Sequence, residues 1–349
     1  MAEPVNDPHD MINETSRIVD DLEKSTSQLL RIPKMEFDNI LVCGMGGSAI
    51  GGDIVADCLA PVSKVPVKVI RFPMMPNWAD EHSLVVVSSY SGNTRETLEV
   101  YSQAIKKNCK VVAVTSGGQL MKECGVNNTP CVAVKTGIQP RNAVGYTVGY
   151  MFNIIATVGG PDILDDIRKC IPSLRKYVNV LKQPDGEPKK IAAHIRASVP
   201  VIYSTSNLYS VAGRWRAQCN ENSKIIAFDG HIPDTNHNDI LGFTKECGVG
   251  VKPVLLVEDS TSKLMRDLVN ATISTFRNNG IKPYVVRISG KTVIERVFRA
   301  MLLGDFISLH LAFFKDIDPS DVSSIKTLKD MLAAKLALRA RKKASKKRK

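Results

Sequence analysis

Both halves of the chain alternate two hydrophobic patterns, and this alternation limits the fold more than any other feature of the sequence. Near-continuous runs of valine and isoleucine end in glycine- or serine-rich turns, and most of these turns lead into a segment with apolar residues at helical spacing. Such runs are typical of parallel strands that are covered by helices on both faces. With 349 residues, the chain is long enough for two domains of this type.

The first half contains five predicted strands, in FDNILVCG, VPVKVIRF, HSLVVVSS, KVVAVTSGG and CVAVKTG. After a break at residues 158–162, VGGPD, three further strands are predicted in VPVIYSTSN, VKPVLLVED and IKPYVVRIS. The segments ILVCGMGGS and VIYSTSNLY occupy matching places about 160 residues apart. We therefore expect an α/β fold of two similar, doubly wound subdomains, each a mainly parallel sheet flanked by helices.

The same patterns set the expected domain boundaries. The first subdomain is predicted over residues 39–158 and the second over residues 163–315. An N-terminal helical segment, residues 1–38, precedes them, and residues 316–334 are predicted to form a helix that closes the site. Ligands of such sheets bind at the carboxyl ends of the strands, and here also between the two subdomains.

The net charge of +12 is concentrated at one end of the chain. Residues 335–349, KLALRARKKASKKRK, carry nine basic side chains and no acidic one, and removing them leaves a net charge of +3. A block of like charge at a terminus is typical of a solvated, disordered tail, and this is the prediction here. Nucleic acid is therefore not expected as a partner beyond weak contacts of this tail with polyanions.

Cysteine usage and hydropathy favour a cytoplasmic protein without a membrane span. The eight cysteines form no C-x-x-C pair, and the first ten residues contain no apolar signal core. The segment that ends in ISLHLAFF is interrupted by Gly304, Asp305 and His310, so we expect a buried helix there.

The stretch CGMGGSAIGG follows the first predicted strand and contains five glycines. Gly44, Gly46 and Ala49 fit the G-x-G-x-x-A pattern of dinucleotide-binding loops. The second strand ends in Ile70 and Arg71 rather than in the acidic residue that binds a ribose, which would favour a 2′-phosphate. The loop alone therefore leaves a nicotinamide-dependent reductase open.

A second loop, SYSGNT, favours a phosphate monoester instead. It stands between a predicted strand and a predicted helix, so its hydroxyls lie beside the free N–H groups of a helix N-terminus. The simpler alternative is a helix cap without a ligand, but one cap does not need so many hydroxyls. No lysine follows as in nucleotide P-loops. The residues predicted to hold the phosphate are Gly46, Gly47, Ser48, Ser89, Ser91 and Thr94.

GMGGS and SYSGNT together resemble the sugar isomerase (SIS) fold, in which S-x-S-G-x-T binds phosphorylated sugars. QPRNAVGY, CNEN and NHND are similar to motifs of the bifunctional phosphoglucose/phosphomannose isomerase family, and the similarity extends over residues 40–330. The resemblance implies a homodimer that interconverts glucose 6-phosphate and mannose 6-phosphate with fructose 6-phosphate. It also implies proton transfer through an enediolate, with no cofactor and no metal.

The resemblance further implies a role for each polar motif. Glu221 of CNEN is the base that moves the proton, and His237 of NHND opens the sugar ring from the partner subunit. Arg141 of QPRN stabilises the developing negative charge. Asn142 departs from the small residue that is usual beside this arginine.

The closing segment DPSDVSSIKTLKDML is similar to the end of the same family. By this resemblance Lys329 approaches the ring oxygen of the sugar, with Lys326 as the competing choice, and Ser320 lies in the pocket where a threonine is common. Composition alone would make these lysines ordinary charges on a helix surface.

Alternatives remain for individual residues and for the function. Spacing alone favours a solvent-facing Glu221 at a helix end. His231 competes with His237, and both could join Cys219 or Cys247 in a zinc site, although the spacings match no common zinc pattern. The competing functions are a noncatalytic SIS module that senses a sugar phosphate, the nicotinamide-dependent reductase and an isomerase specific for glucose 6-phosphate.

Overall fold

The computed structural model describes residues 7–244 and 250–346, which form nine strands and twelve α-helices. The strands are β1 (Asn39–Cys43), β2 (Val67–Ile70), β3 (Ser83–Ser89), β4 (Lys110–Thr115), β5 (Cys131–Ala133), β6 (Val199–Thr205), β7 (Phe228–Ile232), β8 (Val251–Glu258) and β9 (Tyr284–Ile288). The helices are α1 (Met11–Ser16), α2 (Ile18–Ser27), α3 (Gly47–Leu59), α4 (Arg95–Lys106), α5 (Gly118–Val126), α6 (Val144–Thr157), α7 (Leu164–Leu181), α8 (Glu187–Ile195), α9 (Tyr209–Ser223), α10 (Lys263–Asn278), α11 (Val293–Phe314) and α12 (Ser323–Lys346).

The first sheet is parallel throughout and has the order β2-β1-β3-β4-β5. Val42 of β1 pairs with Val69 on one side and with Val86 on the other. The central strands are buried along almost their whole length, as expected when helices cover both faces. Because the chain moves from β1 to β2 on one side and then to β3 on the other, a switch point lies between the carboxyl ends of β1 and β3.

The second sheet has the order β7-β6-β8-β9, which repeats the order of the first four strands of the first sheet. This confirms the predicted fold class of two doubly wound, parallel sheets flanked by helices. The hydrophobic patterns did not indicate β7, whose sequence FDGHI is only partly buried. An edge strand pairs with a single neighbour, so it can form without a continuous apolar run.

The N-terminal helices pack onto the first subdomain through α6, which is buried on almost every side. Asn153 of α6 is 4% exposed, and its Nδ2 donates to the backbone oxygens of Ser25 and Gln28 over 2.8 and 2.7 Å. These bonds satisfy a buried amide and fix the end of α2.

Helix α11 is 22 residues long and, by length and composition alone, apolar enough to cross a membrane. However, 78% of its most apolar window is buried inside the protein, against α7, α8 and α9. Core helices commonly combine this length and hydropathy, and the burial agrees with the expectation from the sequence.

The C-terminal region differs from the prediction. Helix α12 begins at Ser323 and reaches Lys346, so it extends into residues 335–349, which were expected to be disordered. Alanine, leucine, lysine and arginine dominate this stretch and are strong helix formers. The side chains of residues 321–332 are all exposed, whereas Pro319 and Ser320 just before the helix are buried. The segment bound to the rest of the protein is therefore residues 318–321, through the buried Pro319 and Ser320 and through backbone oxygens, rather than the helix.

Candidate active site

The glycine loop after β1 lies against the end of β3. A Cβ at Gly44 would come within 2.9 Å of Ser48 Cβ and 3.1 Å of Ser88 O, so the close approach of these groups requires glycine. Gly46 has a φ of 52° and precedes α3, and a Cβ there would meet nothing within 4 Å. The packing of two loops thus explains Gly44, and Gly46 is the glycine whose backbone faces open space.

The hydroxyl loop between β3 and α4 is tightly folded. Gly92 has a φ of 65°, and a Cβ there would lie 1.8 Å from a backbone oxygen of the turn after β4. Ser89 Oγ donates to Thr94 Oγ1 over 3.1 Å, and Ser91 Oγ accepts from the N–H of Asn93 over 3.3 Å. Thr94 precedes α4 but, among the described contacts, its hydroxyl does not cap the helix. The first N–H groups of α4 are therefore left to bind an anion.

Arg141 stands in the turn between β5 and α6, next to the glycine loop. A Cβ at Gly47 would lie 3.7 Å from the Arg141 Cα. The guanidinium is buried, and its Nε donates to Asn222 Oδ1 over 2.7 Å while its Nη2 donates to Pro319 O over 2.7 Å. Its Nη1 lies 3.7 Å from Glu221 Oε2. Arg141 is therefore a fixed positive charge beside a carboxylate.

Electrostatics around this pair follow from burial. Desolvation lowers the pKa of Arg141, and the Glu221 carboxylate opposes that shift. An arginine stays protonated at neutral pH in either case. The Glu221 side chain is 30% exposed, so a substrate can reach the carboxylate while the arginine behind it stays dry.

Glu221 lines a cavity of about 670 Å³ between α3 and α9. Gly46 lines the same cavity, so the candidate base and the open end of the glycine loop face one space. Among the charged and polar side chains on the wall, Arg71, Arg216 and His231 come from β2, α9 and β7 or lie next to them. The carboxyl ends of both sheets contribute to this region, as expected for ligands of such folds.

The segment before α12 closes over Arg141. The N–H and the hydroxyl of Ser320 both donate to Asp318 Oδ1, over 2.8 and 2.7 Å. Because Pro319 between them accepts from Arg141, Ser320 is held beside the Arg141–Glu221 pair. The structure therefore brings together Arg141, Glu221 and Ser320, which the sequence placed in three separate motifs.

A buried ion pair that the sequence did not single out supports this cluster. Arg214 and Asp305 are each 1% exposed, and their closest atoms are 2.7 Å apart. Arg214 Nη2 also donates to the backbone oxygen of Arg141 over 3.0 Å, and Gln218 donates to Asp305 over 3.0 Å. Burial raises the pKa of Asp305, while Arg214 and Gln218 offset part of that shift.

Asn222 is another residue that sequence reasoning missed. It follows Glu221, holds Arg141 with its oxygen, and donates with Nδ2 to Ser308 Oγ over 2.8 Å. Arg214, Gln218 and Asn222 stand four residues apart on α9, so they form one polar stripe of the helix. The sequence signal that could have identified these residues is the polar stripe along a helix that lies between the two subdomains.

The Asn142 side chain gives a local reason for its departure from the family pattern. Its Nδ2 donates to Glu14 Oε2 over 3.1 Å, which links the Arg141 turn to the N-terminal helix α1. Tyr90 links the hydroxyl loop to the segment that precedes Arg141. Its hydroxyl accepts from Ile138 N–H over 2.9 Å and donates to Lys135 O over 3.0 Å.

Several predicted residues do not join this cluster within the single chain. The predicted phosphate hydroxyls do not line the cavity beside Glu221. His237 is exposed at the end of a short 3-10 helix after β7 and does not line the cavity. Lys326 and Lys329 are exposed on α12. His231 does line the cavity, and its ring stacks on that of Tyr209 with centroids 4.0 Å apart.

For the zinc alternative, the ranges 7–244 and 250–346 contain no group of three or more His, Cys, Asp or Glu side chains placed to hold a metal ion. Cys247, one of the residues considered for such a site, lies outside these ranges.

Comparison with known proteins supports the fold and defines the family. The family model of the bacterial phospho-glucose isomerase C-terminal SIS domain matches residues 185–332. Among solved structures, the C-terminal domain of glucosamine-fructose-6-phosphate aminotransferase from Francisella tularensis is similar, with a TM-score of 0.72 and 15% identity. That match covers 90% of this chain and 98% of the other, and it supports the fold alone.

Two curated relatives are closer in sequence. A bifunctional phosphoglucose/phosphomannose isomerase from Thermoplasma acidophilum is 34% identical over 299 residues, and one from Caldicellulosiruptor bescii is 32% identical over 307 residues. Each match covers 85% of this chain and 90% of the relative. The chain therefore belongs to the family of bifunctional phosphoglucose/phosphomannose isomerases.

Proposed function

We propose that the protein is an aldose–ketose isomerase that interconverts glucose 6-phosphate and mannose 6-phosphate with fructose 6-phosphate. The observation that carries this proposal is the buried Arg141 guanidinium held 3.7 Å from the accessible carboxylate of Glu221. A proton shuttle beside a fixed positive charge is the pair of groups that an enediolate intermediate needs.

In this mechanism Glu221 removes the proton from C2 of the open-chain aldose and returns it to C1. The electron pair left at C2 spreads onto the carbonyl oxygen at C1, which becomes negatively charged in the enediolate. The proton of the C2 hydroxyl passes to this C1 oxygen, so that C2 becomes the carbonyl carbon when Glu221 returns its proton to C1. Arg141 stabilises that charge without moving, because Asn222 and Pro319 already hold its guanidinium. The reverse reaction uses the same groups, since a carboxylate can both take and return the proton.

The substrate phosphate binds at the switch point between β1 and β3. Ser48, Ser89, Ser91 and Thr94 supply hydroxyls there, and the uncapped start of α4 supplies backbone N–H groups. The short distance between Gly47 and the Arg141 turn supports a phosphate site next to the proposed base and cation.

The two aldose phosphates are epimers at C2, the carbon that loses its proton. One base serves both epimers if the enediolate turns about the C2–C3 bond, so that either face of C2 meets Glu221. The cavity of about 670 Å³ beside Glu221 supports this part of the proposal.

Ring opening is assigned to His237 of a second copy of the chain, in a homodimer. The proposal rests on the family resemblance and on the position of His237, which is exposed and lies away from its own cavity. The partner subunit would approach at the cavity between α3 and α9. Lys329, or Lys326 in its place, would have to approach the site by a movement of α12.

The test is turnover of both aldose phosphates by the purified protein with a metal chelator present, measured by a coupled assay. We expect both substrates to react and the chelator to have no effect. Turnover of glucose 6-phosphate alone would select the glucose-specific alternative. Binding of both sugar phosphates without turnover would instead select a noncatalytic sensor, and tight binding of NADPH would revive the reductase.

A further inference from the structure

Lys224 follows the C-terminal end of α9, three residues after Glu221, and has an unusual backbone conformation. Its φ of 51° and ψ of 39° place it in the left-handed region, where helix ends usually carry glycine. A lysine in this position is disfavoured by its own Cβ, so its side chain needs a compensating role.

The side chain of Lys224 joins two distant segments of the chain. Its Nζ donates to the backbone oxygen of Glu221 over 2.8 Å and to that of Asp321 over 2.9 Å. Two further backbone oxygens, those of Asp318 and Asn222, lie at 3.3 and 3.4 Å. The ammonium group therefore binds the end of the helix that carries Glu221 and both ends of the segment Asp318–Asp321.

The same segment is also bound by Arg141, through Pro319 O. Two cations, Arg141 and Lys224, thus hold one short stretch of backbone beside the end of α9. The charged groups that act on the Lys224 ammonium include Arg141, Asp321, Asp318 and Glu221, which places all of them in one electrostatic cluster. If this segment shifts, Arg141 loses one of its two hydrogen-bond acceptors.

We propose that Lys224 is a positioning residue that fixes Asp318–Asp321 against the end of α9 and thereby sets the separation of Arg141 from Glu221. The proposal rests on the isomerase function proposed above. Lys224 does not touch the substrate in this scheme; it acts through the backbone that holds Arg141 and Ser320. The competing interpretation is that Lys224 only stabilises the end of a helix.

Glycine at position 224 separates the two interpretations. Lys224→Gly removes the ammonium but suits the left-handed backbone, so it should not lower the thermal unfolding temperature. We expect kcat to fall by about tenfold or more, because small displacements of catalytic groups are costly, while KM for the sugar phosphate changes little. The phosphate loop that governs binding is not touched by this change.

Two further variants serve as controls. Lys224→Arg keeps a cation with several donors and should recover part of the lost kcat. Lys107 is a matched control, since it follows α4 and its Nζ also donates to two backbone oxygens, those of Asn77 and Ala79. Lys107→Met loses the same kind of bonds far from Glu221, and its kcat should stay within about twofold of the wild type.

The outcomes distinguish this proposal from the proposed function. An active wild type with unchanged kcat in Lys224→Gly would overturn the positioning role and leave the isomerase assignment intact. A fall in kcat that comes with a lower unfolding temperature would show that Lys224 only stabilises the end of α9. A wild type that turns over neither aldose phosphate would refute both proposals.

Discussion

The Nε of Arg141 donates to Oδ1 of Asn222 over 2.7 Å, so the residue next to the proposed base holds the proposed cation. Asn222 is 1% exposed, and the bond spans 81 residues of sequence. In the proposed mechanism the CNEN motif therefore has two roles, because Glu221 moves the proton and Asn222 fixes the charge that stabilises the product of that step.

Replacing the base tests the chemistry most directly. Glu221→Gln keeps the shape of the side chain but cannot accept a proton, so turnover of both aldose phosphates should fall by about 10²–10⁴-fold. Binding of the sugar phosphate, measured by calorimetry, should be nearly unchanged. Turnover close to that of the wild type would remove Glu221 from the mechanism.

Asn222→Ala should lower kcat by about 10–100-fold, since the Arg141 guanidinium loses its Nε acceptor and can shift away from the enediolate. Ser308→Ala is the matched control, because it removes the bond on the far side of Asn222, together with the bond of the same hydroxyl to the Asp305 backbone oxygen, and leaves the bond to Arg141 in place. Equal losses of kcat in both variants would mean that general packing, rather than the hold on Arg141, matters here.

The buried Arg214–Asp305 pair predicts a stability effect. Asp305→Ala leaves the Arg214 charge buried without its partner, which should lower the free energy of unfolding by about 3–5 kcal/mol in urea denaturation. The double variant Arg214→Met, Asp305→Leu removes both charges and should be less destabilised than Asp305→Ala alone. This account would be contradicted if the loss of unfolding free energy in the double variant equalled the sum of the losses in the two single variants.

Ser91→Ala should raise KM for both sugar phosphates by about 10–100-fold, with a smaller effect on kcat, because a hydrogen bond to a charged phosphate is lost. Inorganic phosphate should inhibit the variant less than the wild type. Ser102→Ala, on helix α4 that follows the loop, is the control. No change in KM would place the phosphate elsewhere.

Asp57 predicts a pH dependence of stability. Burial raises its pKa to about 6, and its carboxylate accepts the N–H of Ser210. The folded state therefore binds a proton that the unfolded state, with a pKa of about 3.9, releases, and stability falls as pH rises from about 4 to 6. Asp57→Asn should match the wild type near pH 4 and exceed it by about 2 kcal/mol at pH 7.

Urea denaturation at both pH values measures this difference. The asparagine keeps an oxygen that can accept from Ser210, so the change in charge is isolated. A difference between variant and wild type that does not vary with pH would show that Asp57 is not the group that titrates.

The sequence was sufficient for the sheets because valine and isoleucine runs report burial on both faces directly. It was insufficient for β7, whose edge position lets polar residues such as Asp229 and His231 form a strand. Gly44 shows a different limit, because the same glycine spacing occurs in dinucleotide-binding loops and where two loops pack closely together. The choice between them needed the neighbouring loop.

The proximity of the site residues was predictable where a motif carries its own chemistry, as with Arg141, Glu221 and Ser320, which lie together in the structure and whose roles stay predictions. It was not predictable where a residue acts through a partner far along the chain. Arg214 and Asp305 are 91 residues apart, and Lys224 acts through a segment 94–97 residues away. Neither pairing has a local pattern, because only the packing of α9 against its neighbours brings the partners together.

Helix α6, buried on almost every side, begins three residues after Arg141. Arg141 is therefore tied to the part of the protein that tolerates substitution least, whereas Asp318–Asp321 connects to a helix whose described side chains are exposed. Substitutions in residues 318–321 can therefore occur without unfolding the core. We expect that selection for activity on other sugar phosphates would retain Arg141 and would accumulate substitutions around Ser320.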